Sequence, residues 1–248
     1  EADLMLGFDG NDVLTSNGGD DILIGGNPAL EPEESKQKSF GVVIAPTANF
    51  NVSIDWWEVE RLNTIRSGFD LDDMRAYYDR YAGNFIRDAN GDILLIDQRF
   101  INTGGSLTRG IEVDANLIGE LWGGDYHVNL NGSYLDTYRK KDFSAEPYGD
   151  NLVGKYEPYL NLPLEWKHTL SFGWRKGAFT HTLTQVYRDG YEDYLPPGMR
   201  NGTYVPPRYD PDVDAYITYN YSLGWEISDT LKATFGIRNL LDTDPPFT

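Results

Sequence analysis

Between residues 36 and 240, apolar and polar side chains alternate with a period of two in eight separate segments. In 36–46 the even positions Phe40, Val42 and Ile44 are apolar, and in 50–60 Phe50, Val52, Ile54 and Trp56 oppose Asn51, Ser53 and Asp55. Segment 107–117 sets Ile111, Val113, Ala115 and Leu117 against Gly110, Glu112, Asp114 and Asn116. Segment 125–139 sets Tyr126, Val128, Leu130 and Tyr134 against His127, Asn129, Asn131 and Ser133. In 165–175 Trp166, Leu170, Phe172 and Trp174 oppose Lys167, Thr169, Ser171 and Arg175, while 179–188 alternates less cleanly, Phe179 and Leu183 against Thr180, Thr182 and Thr184. The last two segments, 214–226 and 230–240, place Ile217, Tyr219, Tyr221, Leu223 and Trp225, then Leu231, Ala233, Phe235 and Ile237, on one side. Successive side chains of a strand point to opposite faces, so the pattern predicts eight β-strands, each with one apolar and one polar face.

The joins between these segments are short and long in strict alternation. Short ones fall at 46–49, 119–124, 176–178 and 227–229, and long ones at 62–106, 140–164 and 189–213. A soluble sandwich mixes its loop lengths, whereas an outer-membrane barrel has short periplasmic turns and long outer loops. The polar faces carry Glu112, Asp114, Lys167, Arg175, Lys232 and Arg238, which would be costly in a dry core but not beside water. Strands of ten to twelve residues at ~3.3 Å each, tilted by ~45°, cover the ~25 Å apolar band of such a barrel. The fold class expected is therefore all-β: an antiparallel, up-and-down transmembrane β-barrel segment of about eight strands.

Composition narrows the function without naming it. Lys+Arg 21 against Asp+Glu 39 leaves a net charge of −18, which makes nucleic acid an unfavourable partner. No apolar run approaches the ~20 residues of a membrane-spanning helix, but a membrane strand needs only ~9–11 with every second one apolar. Aromatic residues make up 14% of the chain, with 17 tyrosines, and many sit near strand ends, where interfacial girdles form. With no cysteine, disulfides, thiolate metal sites and cysteine nucleophiles are excluded. His127 is expected on the polar face, and His168 and His181 on the apolar one. No Ser/His/Asp elbow, phosphate-binding glycine loop or HExxH is present, so the chain is read as a non-enzyme.

Residues 1–26 differ in texture from the rest. Asp3, Asp12 and Asp21 recur every nine positions, each followed two residues later by Met5, Leu14 or Leu23, and Gly10 and Gly19 precede the later two. GFDGNDVLT and SNGGDDILI resemble the nonapeptide unit of calcium-binding RTX β-rolls, in which glycines permit a tight turn around a hard cation. This segment is set apart as a short β-roll or loop, with Asp12 and Asp21 as candidate calcium ligands. A second calcium-like string, Asp88-Ala89-Asn90-Gly91-Asp92, lacks the sixth-position glycine and late Glu of a calcium loop and is read as a hairpin turn between Phe85-Ile86-Arg87 and Ile93-Leu94-Leu95.

Four ordered stretches carry a family resemblance: 27–36 (NPALEPEESK), FGVVIAPTANFNVSIDWWEVE, GGSLTRGIEVDANL and GIRNLLDTDPPF. Together they resemble the closing third of the β-barrel of TonB-dependent outer-membrane transporters, across residues 27–248. The resemblance implies a 22-stranded barrel plugged by an N-terminal domain, importing ferric siderophores, cobalamin, sugars or peptides with energy relayed by TonB. Its implied partners are outer-membrane lipid, the TonB complex acting through a plug that this chain lacks, and a small-molecule ligand. Its implied location is the outer membrane of a Gram-negative bacterium.

On that resemblance the eight strands are the fourteenth to twenty-first, and one more inward strand is expected after Thr248. The chain opens on Glu1-Ala2-Asp3 without a leader and is expected to be a fragment. Long loops and lumen touch the ligand in this family, so Tyr191, Tyr194, Arg200 and Tyr204 are candidate substrate contacts by position. Residues 1–26 stand where the family has an outer loop, as a calcium-binding insertion or as a joint between unrelated coding sequences. The competing function is a calcium-dependent RTX-type secreted or surface-binding protein.

Overall fold

The computed structural model of the protein describes residues 4–6, 22–24, 26–66, 74, 78–156, 162–195, 197–200, 202–204 and 210–246. All eight expected strands are present: β1 (Glu34–Thr47), β2 (Phe50–Leu62), β3 (Gly105–Leu121) and β4 (Gly124–Lys141), followed by β5 (Trp166–Lys176), β6 (Phe179–Arg188), β7 (Tyr216–Ser228) and β8 (Leu231–Ile237). They form one sheet in which each strand lies beside its neighbours in sequence, with β1 and β8 at the edges. The ladders from β4 to β8 are antiparallel.

Register keeps the two faces distinct across the sheet. Val128 lies opposite Phe172, Phe172 opposite Leu183, and Leu183 opposite Tyr221 on the apolar face. One step along, Asn129, Ser171, Thr184 and Asn220 form the matching polar row. A slip of one residue would exchange the faces, so the alternation itself fixes the pairing. The uneven pattern of β6 resolves here, because His181 pairs with Trp174 and Gln185 with Leu170, both on the apolar side.

Those polar groups on the apolar face satisfy one another. Trp166 Nε1 donates to His168 Nδ1 at 2.8 Å, His168 Nε2 meets Gln185 Oε1 at 3.0 Å, and Gln185 Nε2 donates to the Tyr219 hydroxyl at 2.7 Å. His181 Nδ1 meets the Tyr221 hydroxyl at 2.7 Å. In lipid an unpaired donor or acceptor is costly, and this chain of bonds removes that cost across three strands.

Two glycines let rings lie flat on the sheet. A Cβ on Gly132 would fall 2.5 Å from Trp166 Cη2, and one on Gly173 would overlap the His127 imidazole. A larger residue at either place would push the ring off its strand.

Among the described residues no second layer covers the apolar face of the sheet. Phe172 is 36% exposed, Leu183 39% and Phe235 60%, and all fourteen residues of edge strand β1 are exposed. A contiguous apolar surface of this kind marks contact with another phase, here lipid.

Two compact units share the chain, one of residues 1–35, 61–106 and 141–147, the other of 36–60, 107–140 and 148–248. The first has a small core of its own, in which Met74, Tyr81 and Phe85 are buried and Ile96, Ile101 and Phe143 pack against them. It contains the hairpin expected from sequence, Phe85–Arg87 paired antiparallel with Ile93–Ile96. The turn is locked by Asp88, whose Oδ1 accepts from the backbone N–H of Asn90 at 2.8 Å and of Asp92 at 2.9 Å. These bonds, that from Asp92 foremost, hold the Asp88 carboxyl below its ordinary pKa. Ile65–Arg66 pairs with Ile101–Asn102, and the Glu33 carboxylate accepts from the Ile65 N–H and from Arg61, both at 2.7 Å.

Candidate functional site

Two of the long connections are joined by backbone hydrogen bonds. After β6 the chain forms the short strand Tyr191–Glu192, paired antiparallel with Asp212–Val213 just before β7. The connection after β4 adds to its other side: Glu192 N donates to Gly154 O at 2.7 Å, and Tyr156 N donates to Glu192 O at 2.8 Å. Asp193 N donates to Pro211 O at 2.7 Å, which extends the pairing. Val213, only 3% exposed, is the buried apolar residue at this junction. Gly154, with φ of 72°, supplies the left-handed turn that brings Tyr156 alongside.

The four candidate contacts occupy different settings within this assembly. Tyr191 lies in the paired strand with its ring 6.4 Å from that of Tyr156, and burial, followed by the Asp193 charge, raises its phenol pKa. Tyr194 is half-buried, its backbone N–H bonded to Asp193 Oδ1 at 2.8 Å. Arg200 ends the short helix Pro197–Arg200, and its side chain lies outside the described residues. Tyr204 is 62% exposed on a separate turn closed by its N–H to Gly198 O at 2.8 Å. Tyr191 thus lies in the paired strand and Tyr194 two residues beyond its end, while Tyr204 stands on its own turn.

Tyr156 is absent from the candidates drawn from sequence, although a signal existed. Tyr-Glu-x-Tyr-Leu occurs twice, at 156–160 and 191–195, and the two copies begin at the tyrosines whose rings meet. Neither copy belongs to a period-two segment, which is why alternation passed over them.

The polar face of the sheet presents amides, hydroxyls and charges in bonded rows. Asn116 Nδ2 donates to Asp114 Oδ1 at 2.6 Å, and Asn129 Nδ2 donates to Asn116 Oδ1 at 2.9 Å. Toward the short turns an open groove of about 650 Å³ is lined by Glu120, Asp125, His127, Arg175 and Thr180 among others. Arg175 pairs there with Asp125 at 3.3 Å, and both side chains are largely exposed. Such a surface suits water and polar solutes rather than a dry core. Near the other end of β2, the Tyr148 hydroxyl donates to Glu60 Oε1 at 2.9 Å, and its pKa is pushed up to about 12, first by burial and then by that carboxylate.

Asp12 and Asp21, the candidate calcium ligands, lie outside the described residues. Among the described residues no group of three or more His, Asp or Glu side chains is arranged to hold a metal ion. The flanking strands are described: Leu4–Leu6 pairs in parallel with Ile22–Ile24, Leu4 opposite Ile22.

Comparison with known proteins agrees with this architecture. The TonB dependent receptor-like β-barrel family matches residues 3–240, starting inside the segment that the nonapeptide reading sets apart. A search of curated proteins finds no match. Among solved structures, the siderophore receptor PirA of Acinetobacter baumannii is similar at 18% identity and a TM-score of 0.57, over 88% of this chain and 29% of that one. A mutant of the ferric enterobactin receptor of Pseudomonas aeruginosa is similar at 14% identity and 0.56, over 88% and 27%. The siderophore receptor PiuA of Acinetobacter baumannii follows at 16% and 0.51, over 92% and 26%. The chain therefore spans under a third of the length of the solved receptors it matches. A meander with an oily and a wet face, and a family match across nearly its whole length, place the chain in the TonB-dependent receptor β-barrel family, whose members sit in the Gram-negative outer membrane.

Proposed function

We propose that this chain is a wall segment of a TonB-dependent transporter that takes up a scarce nutrient through its outer loops and polar lumen. The supporting observation is the pairing of an uncovered apolar face with a continuous polar one in a sheet whose two edges are open. Among the described residues both edges lack a partner strand, and lipid requires that they gain one; the chain spans 26–29% of the receptors it matches, whose further strands supply that partner on this reading. The nutrient is a ferric siderophore, a sugar or a peptide. The siderophore comes first because the solved neighbours bear that description, one of them being described in complex with enterobactin. Tyr191 and Tyr194, with Arg200 and Tyr204, form the ligand contacts, and TonB acts through a plug domain outside this segment. The test is uptake of iron-55 enterobactin by cells whose only copy of the receptor containing this segment carries Tyr191→Ala and Tyr194→Ala. Uptake several-fold below wild type at equal surface amount supports the reading. Uptake equal to wild type removes these tyrosines from the ligand path.

A second reading concerns the N-terminal segment and is carried by one observation. Leu4 and Ile22 are partners eighteen positions apart, which is two of the nine-residue spacings, and the pairing is parallel as in stacked turns of a roll. On this reading Asp12 and Asp21 belong to a calcium-binding turn. Calorimetric titration with calcium should show heat that disappears in Asp12→Asn/Asp21→Asn. Equal heat in both chains discards it.

A further inference from the structure

The turn between β3 and β4 breaks a rule that the other described residues respect. It has two residues, Trp122 and Gly123, with φ of 54° and 74°. Positive φ at both central positions defines a type I′ hairpin, for which Asn-Gly or Asp-Gly is the favoured pair. The three other non-glycine residues with positive φ among the described ones are Asn63, Asn239 and Asp242, side chains that tolerate this region. A tryptophan there carries backbone strain that asparagine would not.

Packing does not explain the choice. Trp122 is 79% exposed, the most exposed of the large apolar side chains described. Its backbone is nevertheless tied down, since Lys176 Nζ donates to Trp122 O at 2.8 Å and Trp174 Nε1 donates to Leu121 O at 2.9 Å. The turn is thus held still while its indole faces outward from the protein.

Its surroundings identify the phase it meets. Tyr126, Trp174, Phe179 and Trp225 lie on the apolar face at this same short-turn end, Phe179 stacked on Trp225 at 5.9 Å. Aromatic rings collect where hydrocarbon gives way to headgroups, and an indole prefers that layer to either side of it. The Lys176 ammonium beside the turn suits a phosphodiester. We propose that Trp122 and Lys176 form a phospholipid-headgroup anchor at the short-turn end of the sheet, its strained backbone serving to put the indole into that layer. This rests on the lipid-facing reading of the apolar face.

Two measurements on the complete receptor test it. A nitroxide on Trp122→Cys, in vesicles of phosphatidylethanolamine and phosphatidylglycerol, should collide with oxygen and with a nickel chelate as a headgroup-level label does. Collision with the chelate matching that of free nitroxide in buffer overturns the anchor. A label on Phe172→Cys separates the causes: if it reports hydrocarbon while Trp122→Cys reports water, only the anchor falls, and if both report water, the lipid-facing reading falls too. In the second measurement Trp122→Gly, which relieves the strain, should unfold at an equal or higher temperature in micelles yet be extracted from native outer-membrane vesicles several-fold faster. Trp122→Tyr should restore slow extraction. Extraction of Trp122→Gly at the wild-type rate overturns the proposal, because a purely structural turn residue gains from glycine everywhere.

Discussion

The sheet and the small unit of residues 1–35, 61–106 and 141–147 are stabilised in opposite ways. In the small unit Met74, Tyr81 and Phe85 are hidden from solvent by their own neighbours, as in any water-soluble fold. In the sheet, large apolar residues such as Phe172, Leu183 and Phe235 stay exposed, and none of the buried apolar side chains among the described residues lies on β1 to β8. The first region therefore carries its apolar phase within itself, and the second borrows one from the membrane. Substitutions that ignore this difference should fail in predictable directions.

The sharpest contrast is between neighbours on opposite faces of β5. Phe172→Arg puts a charge at the middle of the apolar face, where a midplane arginine costs ~2–4 kcal/mol, and it also removes a phenyl group. Ser171→Arg puts the same charge on the polar face, beside Thr184, whose hydroxyl lies 3.2 Å from that of Ser171. Reversible unfolding in lipid vesicles should show a loss of ~4 kcal/mol for the first and under ~1 kcal/mol for the second. Similar losses for both would mean that neither face meets lipid.

The core of the small unit gives the next largest effect. Phe85 is 8% exposed and its ring lies 5.3 Å from that of Tyr78, so Phe85→Ala opens a cavity worth ~3 kcal/mol, the low end for a buried phenylalanine. Hydrogen exchange should speed up at Ile86 and Ile93–Ile96, which pair with or follow it. Exchange in β5 and β6 should not change. Faster exchange in those strands would show that the unit supports the sheet.

These two regions were also unequally legible in the sequence. All eight strands could be read because a period of two is imposed by a flat apolar phase, and lipid imposes it on every strand. Boundaries failed where turn chemistry was unusual. The join read at 119–124 contains the turn, Trp122-Gly123, but β3 runs on to Leu121, so that Gly119 lies within the strand beside the Tyr126 ring. Strand β8 stops at Ile237 instead of 240, because Asn239 adopts a φ of 49° and its side chain bonds back to Thr243 N at 3.1 Å and Thr243 O at 2.9 Å. The Asp88 turn was legible because an Asx side chain locks itself over two residues. The junction of Gly154, Tyr156 and Glu192 was not, since its bonds are mostly backbone bonds between connections far apart in sequence.

A medium effect tests how polar groups live on the oily face. Gln185 bridges His168 and Tyr219, so Gln185→Leu leaves a ring nitrogen and a hydroxyl without that partner at the cost of ~1–2 kcal/mol. The substitution makes the face more apolar, so by simple hydrophobicity it should stabilise. Unfolding in vesicles should show destabilisation all the same, and a gain would mean that these groups find lipid headgroups or water instead of one another.

The smallest effect lies outside the bilayer, at Tyr148. Its phenol pKa is raised to about 12 by burial and by Glu60, above the ~10 of an unfolded tyrosine. A raised folded pKa means that the native state holds this proton more tightly, so the contribution is present in full below pH ~10 and is lost as pH rises toward 12. Because the hydroxyl is only partly buried, solvent screening keeps that contribution under ~1 kcal/mol. Stability measured from pH 9 to 12 should fall more steeply for the wild type than for Tyr148→Phe, which has no proton to lose. Spectrophotometric titration should show one phenol fewer among those ionising last in the variant. Parallel stability curves would place the Tyr148–Glu60 bond in free exchange with water, and the wet side of the rim would then extend inward past this residue.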